Sequence, residues 1–370
     1  MLTALRPVGE PVVRSSRTWQ PPDGVAVQYF QSGTAALAAV LRGYVSRADV
    51  AGAPEVLVPA YTCPDVISAV AFAGAKAVLV DFEADRPWLS LDALQEALSP
   101  QTVALVGVNF QGIDERLPEL RAWSGRAQLP LVYDHCQSFP PTDLARQSSD
   151  ALVFSHGRGK PACALVGGAT WIPAGSRHAA LRPPTERAES VSGLKVFAYN
   201  RVIRPWLYSL LLKIPGLGIG ETRFHELQKI NGLSAQAVEQ VEAAIANHLA
   251  QTDFNQRRKM YADLFARQPT WLDLPTVCGA VDVRPLLRYT VLAPEGVDRD
   301  ALLAKLGRLG ATRLYPCTLE KIPGVKTHLG ASARVNPNAE AFARRLVTLP
   351  IHSDVKLHHV ERIEQVLRGL

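Results

Sequence analysis

Short runs of apolar and β-branched residues alternate with helix-like segments from residue 28 to about residue 172. The candidate strands are residues 56–58, 77–81, 103–108, 129–133, 151–155 and 168–172. Between them, apolar residues recur at helical spacing in residues 34–45, 66–72, 91–98 and 117–123. Strands that alternate with helices are typical of βαβ units. This pattern predicts an α/β domain built around a largely parallel sheet.

The length of 370 residues exceeds what one hydrophobic core usually supports. We therefore expect an N-terminal arm (1–24), a large domain (25–255) with an insertion at about 174–232, and a smaller C-terminal α+β domain (256–370). A helical pattern from residue 234 to about residue 264 predicts one long helix that links the two domains as a rigid strut.

Charge and cysteine content exclude several classes of protein. The net charge of +6 comes from scattered residues with no basic run, so nucleic acid is not an expected partner. Five cysteines, far apart and without a C-x-x-C pair, predict neither a disulfide framework nor a metal site. The N-terminus lacks the apolar core of a signal peptide, and no run reaches about 20 apolar residues. These features predict a cytoplasmic protein that is at most peripheral to a membrane.

Candidate ligand-binding residues lie where the predicted strands end, because ligands of open α/β sheets bind beyond the carboxyl ends of the strands. Ser32, Gly33 and Thr34 open a helix, whose free N–H groups suit a phosphate; the alternative is an ordinary helix cap. Asp134 ends an apolar strand. A buried carboxylate needs a partner such as a cationic ring nitrogen, although Asp134 could also cap the following loop.

Lys160 follows the strand-end residue Ser155 and the turn that contains Gly157 and Gly159. A lysine that is desolvated in a cleft loses its proton and becomes a nucleophile able to form a Schiff base. The alternative is a solvated surface lysine, but glycines beside a strand end favour close approach of a ligand. A phosphate cradle, an acid, a nearby amide at Gln137 and this amine are together the parts that hold pyridoxal 5′-phosphate.

A series of motifs carries a resemblance to a known family. The motifs are "SGTAAL", "VPAYTCPDVISAVAFAGAKAVLVDFE", "LSPQTVALVGVNFQG", "LPLVYDHCQSF", "FSHGRGK" with "VGGA", and "LVTLPIHSDV". In this content and order the chain resembles the DegT/DnrJ/EryC1/StrS sugar aminotransferases, which are pyridoxal phosphate enzymes of fold type I. The resemblance implies an aspartate aminotransferase-like α/β fold, with a mostly parallel sheet of the seven-stranded type in the large domain and a smaller C-terminal α+β domain.

The resemblance also implies roles for individual residues. Lys160 would carry the cofactor and Asp134 would pair with its pyridinium nitrogen. Gln137 would reach the hydroxyl edge of the ring, and Cys136 would pack against one ring face. The phosphate would be held by Gly33, Thr34 and Ser155.

Two positions, 63 and 166, depart from the family pattern. Cys63 follows Thr62 where the family commonly has an aromatic residue that stacks on the cofactor, so Tyr61 is a possible substitute, and Val166 stands where an acid is often found. His135 is expected to point away from the ring.

The implied activity is transfer of an amino group, with glutamate as the expected donor, to a keto-sugar on a nucleotide or lipid carrier, in polysaccharide or glycoconjugate biosynthesis. A homodimer is expected, because the family borrows a phosphate-binding Asn from the neighbouring subunit, here Asn200 or Asn231. A regulatory pyridoxal phosphate-binding protein is the alternative. Lys160 counts against the family's dehydratases, which lack this lysine, and S-G-T in place of G-x-G-x-x-G counts against a nicotinamide dehydrogenase.

The insertion contains an apolar segment at residues 204–223 with basic flanks. Trp206, Tyr208 and three consecutive leucines lie between Arg204, Lys213 and Arg223. Interfacial membrane segments have this composition, and contact with a membrane would allow a lipid-linked substrate. A dimer contact or a lid explains the same composition and is the favoured interpretation, since apolar segments are more often buried against protein.

Overall fold

A computed structural model describes residues 4–174, 176, 186–212, 214, 222–251, 254–280, 285–330 and 335–369. Its strands are β1 (Val25–Phe30), β2 (Glu55–Pro59), β3 (Lys76–Val80), β4 (Thr102–Val108), β5 (Leu131–Asp134), β6 (Ala151–Ser155), β7 (Gly168–Pro173), β8 (Arg187–Ala188), β9 (Gly232–Leu233), β10 (Leu272–Asp273), β11 (Arg288–Leu292) and β12 (Leu346–Pro350).

The α-helices surround these strands. They are α1 (Gly33–Val45), α2 (Asp65–Phe72), α3 (Leu91–Ala97), α4 (Leu117–Arg126), α5 (Asp143–Ser148), α6 (Gly193–Val202), α7 (Pro205–Leu211), α8 (Ala235–Leu249), α9 (Phe254–Phe265), α10 (Leu274–Val277), α11 (Arg299–Leu306), α12 (Pro337–Arg345) and α13 (Leu357–Leu367).

The large sheet has the order β3-β2-β4-β5-β6-β7-β1-β9-β8. The neighbours from β3 through β6 are parallel, and β7 is antiparallel to both β6 and β1. Every residue of β4 is buried, as expected for a strand covered by helices on both faces. Seven of these strands form the body of the sheet, and the two-residue strands β9 and β8 extend one edge. The predicted mostly parallel, seven-stranded type of sheet is confirmed.

A second, antiparallel sheet has the order β10-β11-β12. Its core is shared with helices α9, α11 and α13 through residues such as Tyr261, Leu302 and Ile363, and also with Leu5 near the N-terminus. The chain therefore combines a large α/β layer structure with a smaller α+β region, as predicted. The exact boundaries at residues 24 and 255 stay a prediction.

The single long helix expected over residues 234–264 is wrong, because two helices lie there. Helix α8 ends at Leu249, and α9 begins at Phe254. Val241 and Ile245 of α8 pack in a core beside the large sheet, whereas Tyr261 of α9 packs in the core of the small sheet. The two helices thus belong to different cores. The spacing of apolar residues predicts helix in both segments, but it does not show that the chain breaks between them.

The N-terminal segment, residues 4–12, is called the arm below. The backbone N–H of Leu5 donates to Arg308 O at 2.9 Å. Arg6 is buried and donates to Gly9 O, to Ile203 O and to the carboxylate of Asp354. The arm thus connects helix α6 with the small region.

Within the described part of the chain, no helix combines the length and the apolar character that crossing a membrane requires.

Candidate active site

The ends of three chain segments meet at the carboxyl edge of the large sheet. Gly33 opens α1, Cys136 follows β5 and Ser155 ends β6. A Cβ atom on Gly33 would lie 2.8 Å from Ser155 Cβ and 2.9 Å from Cys136 Sγ, closer than side chains tolerate. Glycine at position 33 is therefore what allows the three segments to approach one another.

The first turn of α1 faces this meeting point. Ser32 is the N-cap, and its hydroxyl accepts from the N–H of Ala35 at 3.2 Å. The first N–H groups of a helix have no partner inside the helix, and the positive end of the helix dipole favours an anion. The N–H groups of Gly33 and Thr34, beside the hydroxyl of Ser155, thus form a site suited to a phosphate.

Asp134 is the last residue of β5 and is buried. Its Oδ1 accepts from the N–H of Cys136 at 3.0 Å. The carboxylate also interacts with the side chain of Cys136. Asp134 therefore caps the following turn, as the simpler interpretation expected, and it also places a buried negative charge at the sheet edge.

Lys160 lies within electrostatic range of Asp134. Burial lowers the pKa of the Lys160 ammonium, but Cys136, Cys63, Asp134 and Asp65 in their ionised forms outweigh burial, and the net pKa is raised. Burial by itself favours the neutral amine, but the neighbouring acidic groups favour the protonated amine. The carboxylates hold the proton on the amine.

Gln137 is buried, and its amide is bonded on both sides. Its Oε1 accepts from Gln111 N at 3.0 Å and from Gln111 Nε2 at 2.5 Å. Its Nε2 donates to the hydroxyl of Tyr315 at 2.9 Å. Burial raises the pKa of Tyr315 well above its ordinary value, and Cys63, Tyr61 and Asp134 raise it further.

Tyr315 and Gln111 are residues that sequence reasoning missed. Tyr315 lies outside the large sheet's strand order and far from Lys160 in the chain, so no strand-end pattern marks it. Gln111 has a positive φ of 58°, which indicates a tight turn, but this is not visible in its residue type. Both connect the small region to the sheet edge.

The loop after β2 places Tyr61 and Cys63 on different sides. Tyr61 is buried, with its ring centroid 5.6 Å from that of Tyr315 and 5.8 Å from that of Phe342. Its hydroxyl donates to Arg313 O at 2.8 Å. Tyr61 therefore lies in the core and does not substitute for a stacking residue.

Cys63 instead lies near Lys160 and Asp134, which both affect its ionisation. Burial, followed by the nearby Asp65, raises the pKa of the Cys63 thiol to about 12. The thiol is thus protonated at neutral pH. Cys63 occupies the part of this loop that approaches Lys160, where the family pattern has an aromatic residue.

His135 and the two candidate asparagines have clear environments. The ring of His135 is buried, and Nδ1 bonds to Ser138 O at 2.9 Å, away from the sheet edge. The amide of Asn200 pairs with both backbone groups of Val12, at 2.8 and 2.9 Å. Asn231 lies beside the phosphate-suited turn, since Gln31 N donates to Asn231 O at 3.0 Å.

A surface cavity with a volume of about 440 Å³ lies elsewhere. It is lined by Arg121, Arg146 and Asp150 among others, at the amino end of β6. It is not part of the site at the carboxyl edge.

A seven-stranded, mostly parallel sheet of this order, with a lysine and a carboxylate at its carboxyl edge, defines the class of fold-type I pyridoxal phosphate enzymes. The profile of the DegT/DnrJ/EryC1/StrS aminotransferase family matches residues 25–368, and the chain belongs to that family. The predictions of an aminotransferase and of pyridoxal phosphate as cofactor are confirmed at the level of the family.

Three relatives illustrate the similarity. The UDP-N-acetyl-3-dehydro-α-D-glucosamine 3-aminotransferase of Acidithiobacillus ferrooxidans is 24% identical over 342 residues, which cover 91% of this chain and 82% of the relative. The structure of DesI with its TDP-sugar product has a TM-score of 0.66 at 19% identity, over 93% of this chain and 80% of DesI. A candidate sugar aminotransferase of Streptococcus pneumoniae in its PLP form has a TM-score of 0.67 at 19% identity, over 98% of this chain and 97% of that chain.

Proposed function

We propose that this aminotransferase transfers an amino group from glutamate to a keto-sugar carried on a nucleotide, in polysaccharide or glycoconjugate biosynthesis. The observation that carries the proposal is the meeting of Lys160, Asp134 and the Gly33–Ser155 contact at one sheet edge. The nucleotide-sugar substrates named for the Acidithiobacillus relative and for DesI support this substrate class.

The residues at the sheet edge fit pyridoxal phosphate. The turn of Gly33 and Thr34, with Ser155, suits the phosphate, and the Asp134 carboxylate suits a protonated ring nitrogen. The hydroxyl of Thr62 is buried and has no hydrogen-bond partner among the described residues, so a polar group of a ligand is a suitable partner for it. Gln137 and Cys136 are proposed to lie at the ring edge and at one ring face.

When bound, pyridoxal phosphate supplies an aldehyde that condenses with amines and a ring that accepts electrons. Lys160 supplies the amine and afterwards the group that accepts or donates a proton. A cation paired with Asp134 offsets that carboxylate, which lowers the pKa of Lys160 and frees its amine. The same two residues therefore control when the amine is reactive.

We also propose that the protein works as a homodimer, with Asn231 as the residue given to the neighbouring subunit. Asn200 is less suited, because its amide is bonded on both sides to Val12 of the same chain. We propose that this homodimer is located in the cytoplasm. For residues 204–223 the sequence favours a dimer contact or a lid over peripheral membrane contact, and residues 213 and 215–221 of this segment lie outside the described residues.

Borohydride reduction of the protein with pyridoxal phosphate, followed by peptide mapping, tests the role of Lys160. We expect a pyridoxyl group on Lys160 in the wild type and none at that position in Lys160→Ala. Lys259→Ala removes an exposed lysine and should behave as the wild type. Modification only at other lysines would contradict the proposal.

Addition of glutamate to the yellow protein tests the reaction. We expect the absorbance of the bound cofactor to bleach, and the amino group then to pass to a keto-sugar nucleotide, which mass spectrometry detects. A labelled Lys160 without bleaching by glutamate or other amino donors would instead indicate the regulatory, non-enzymatic alternative.

A further inference from the structure

Helices α6 and α7 present an apolar surface to solvent. Seven of the thirteen large apolar side chains that are exposed in the described part of the chain lie between residues 194 and 214. Leu194 is 77% exposed, Phe197 56% and Trp206 51%. Single exposed apolar residues are normal, but a concentration of this kind marks a contact surface.

The exposed residues follow the helical period, so they form continuous faces. The exposed side of α6 contains Leu194, Phe197, Arg201 and Val202. Val196, on the opposite side of the helix, is buried. We call the surface formed by Leu194, Phe197, Val202, Trp206 and Leu210 the outer face.

On α7, Trp206 and Leu210 are one turn apart and exposed, whereas Tyr208 is buried. In an ordinary amphipathic helix the apolar side faces the core. In α6 and α7 the side that packs on the protein is marked by the buried residues Val196 and Tyr208. The apolar residues of the outer face lie on the opposite side and do not contribute to that packing. Tyr208, named in the sequence as part of an interfacial segment, does not belong to the outer face.

The charged residues of the two helices themselves have one sign. Residues 190–220, which lie between Glu189 and Glu221, contain four basic residues and no acidic residue. Lys195, Arg201 and Arg204 are exposed, and the Arg201 guanidinium lies 4.8 Å from the ring centroid of Phe197. Aromatic and aliphatic side chains among basic groups are the composition that binds the headgroup region of an anionic bilayer.

The charge also discriminates against a symmetric contact between two copies. A two-fold contact places the same patch on both sides, so Lys195, Arg201 and Arg204 would all meet a surface that carries the same positive charge. Like charges that face each other across an interface are unfavourable. An anionic lipid surface neutralises them instead.

We propose that the outer face of α6 and α7 docks the protein on an anionic lipid bilayer. The inner side of these helices holds the arm, since Ile203 O accepts from Arg6 and Ser209 Oγ accepts from Ala4 N. The arm in turn contacts Gly159, next to Lys160. One layer of chain therefore separates the docked helices from the Lys160 loop.

Co-sedimentation of the full chain with vesicles tests the proposal. We expect binding to vesicles of phosphatidylcholine and phosphatidylglycerol in equal parts, weak binding to phosphatidylcholine alone, and release by salt. Absence of binding to the anionic vesicles, or equal binding to both kinds, would overturn the proposal.

Paired variants locate the contact. Phe197→Ser and Leu210→Ser should each weaken vesicle binding at least about tenfold, since each removes apolar area from the contact. Leu357→Ser is the matched control, because Leu357 is also an exposed helical leucine, on α13. An equal loss in the control would contradict a specific role of the outer face.

Arg201→Gln should weaken anionic vesicle binding about fivefold and reduce its salt dependence. Arg126→Gln is the control, because both arginines lie in the last turn of a helix and contribute similarly to helix stability. A second copy of this chain is the rival occupant of the outer face. The mass of Phe197→Ser, measured by size-exclusion chromatography with light scattering, tests it. If the substitution converts a dimer to a monomer and leaves vesicle binding at the wild-type level, the outer face binds a second copy and not a bilayer.

Discussion

Val8 of the arm packs against Gly159, the residue that precedes Lys160. A Cβ atom on Gly159 would lie 3.1 Å from Val8 Cγ1, and Gly159 has a positive φ of 73°. A tyrosine of α6 supports the same contact, since a Cβ on Gly9 would lie 2.9 Å from the hydroxyl of Tyr199. The conformation of the Lys160 loop therefore depends on residues 8 and 9 of the arm.

Gly159→Ala is expected to lower the free energy of unfolding by about 1–3 kcal/mol and to weaken binding of pyridoxal phosphate. The left-handed backbone conformation strains alanine, and the new Cβ presses on Val8. Urea unfolding and a cofactor titration measure both effects. Gly157→Ala is the control in the same loop: its Cβ would meet only Ser155 Oγ, at 3.6 Å, which is an ordinary contact. Equal effects of the two substitutions would contradict the argument.

Asp134→Asn should reduce turnover at least about 100-fold, because a neutral amide no longer stabilises a protonated ring nitrogen. It should also lower the pKa of Lys160, since the Asp134 carboxylate is one of the groups that raise this pKa. The rate at which Lys160 condenses with pyridoxal phosphate, followed by absorbance against pH, should therefore shift to lower pH. Asp143→Asn, on α5, should leave the profile unchanged, and a shift to higher pH in Asp134→Asn would refute the assigned electrostatics.

Tyr315→Phe is expected to weaken pyridoxal phosphate binding about tenfold. The substitution leaves Nε2 of the buried Gln137 without its acceptor, which costs about 1–3 kcal/mol. A fluorescence titration of the cofactor measures the effect. Tyr289→Phe removes a hydroxyl that donates to Asp273 Oδ2 at 2.8 Å within the small region. It should destabilise the fold without changing cofactor affinity; an equal change in affinity would show that Tyr315 acts only through stability.

Stability should fall as the solution is acidified, in part through His352. This ring is buried, donates from Nε2 to Arg6 O at 2.9 Å, and accepts at Nδ1 from Asp354 N at 3.3 Å. Burial, followed by the charge of Arg6, lowers its pKa from 6.5 to about 3. Between these values the unfolded chain binds the extra proton, so stability rises with pH in that window and is fully present above about pH 6.5.

His352 alone should contribute about 2 kcal/mol to the difference in unfolding free energy between pH 8 and pH 5. Urea midpoints at the two pH values measure this difference, which should be smaller in His352→Asn. His225→Asn, at an exposed position, should match the wild type. An unchanged pH dependence in His352→Asn would rule out this histidine as a contributor.

The sequence predicts those parts of the site that lie at strand ends. Asp134 and Ser155 were found because apolar runs end there, and the parallel arrangement brings such ends to one edge. The first strand, β1, was not predicted, because its burial is only partial and its residues do not form a simple apolar run. The break between α8 and α9 depends on which core each helix contacts, and this is information about the tertiary structure.

Tyr315 and the arm could not be predicted for a related physical reason. Their positions are fixed by contacts between segments hundreds of residues apart, such as Arg6 with Asp354, and no local spacing encodes these contacts. The pKa of Lys160 is a further case. Whether this pKa is raised or lowered depends on the balance between burial and several nearby acidic groups. The sequence identifies Lys160 as a candidate, but it does not show how many acidic groups lie around it.

The contacts of the arm also constrain the order in which the protein can mature on the ribosome. Leu5 and Arg6 are synthesised about 300 residues before Arg308 and Asp354, with which they pair. The large sheet can form earlier from neighbouring segments, whereas the arm has no complete binding surface until residues 308 and 354 have been synthesised. Packing of Val8 on the Lys160 loop is thus a late event, and a nascent chain stalled before residue 354 lacks it.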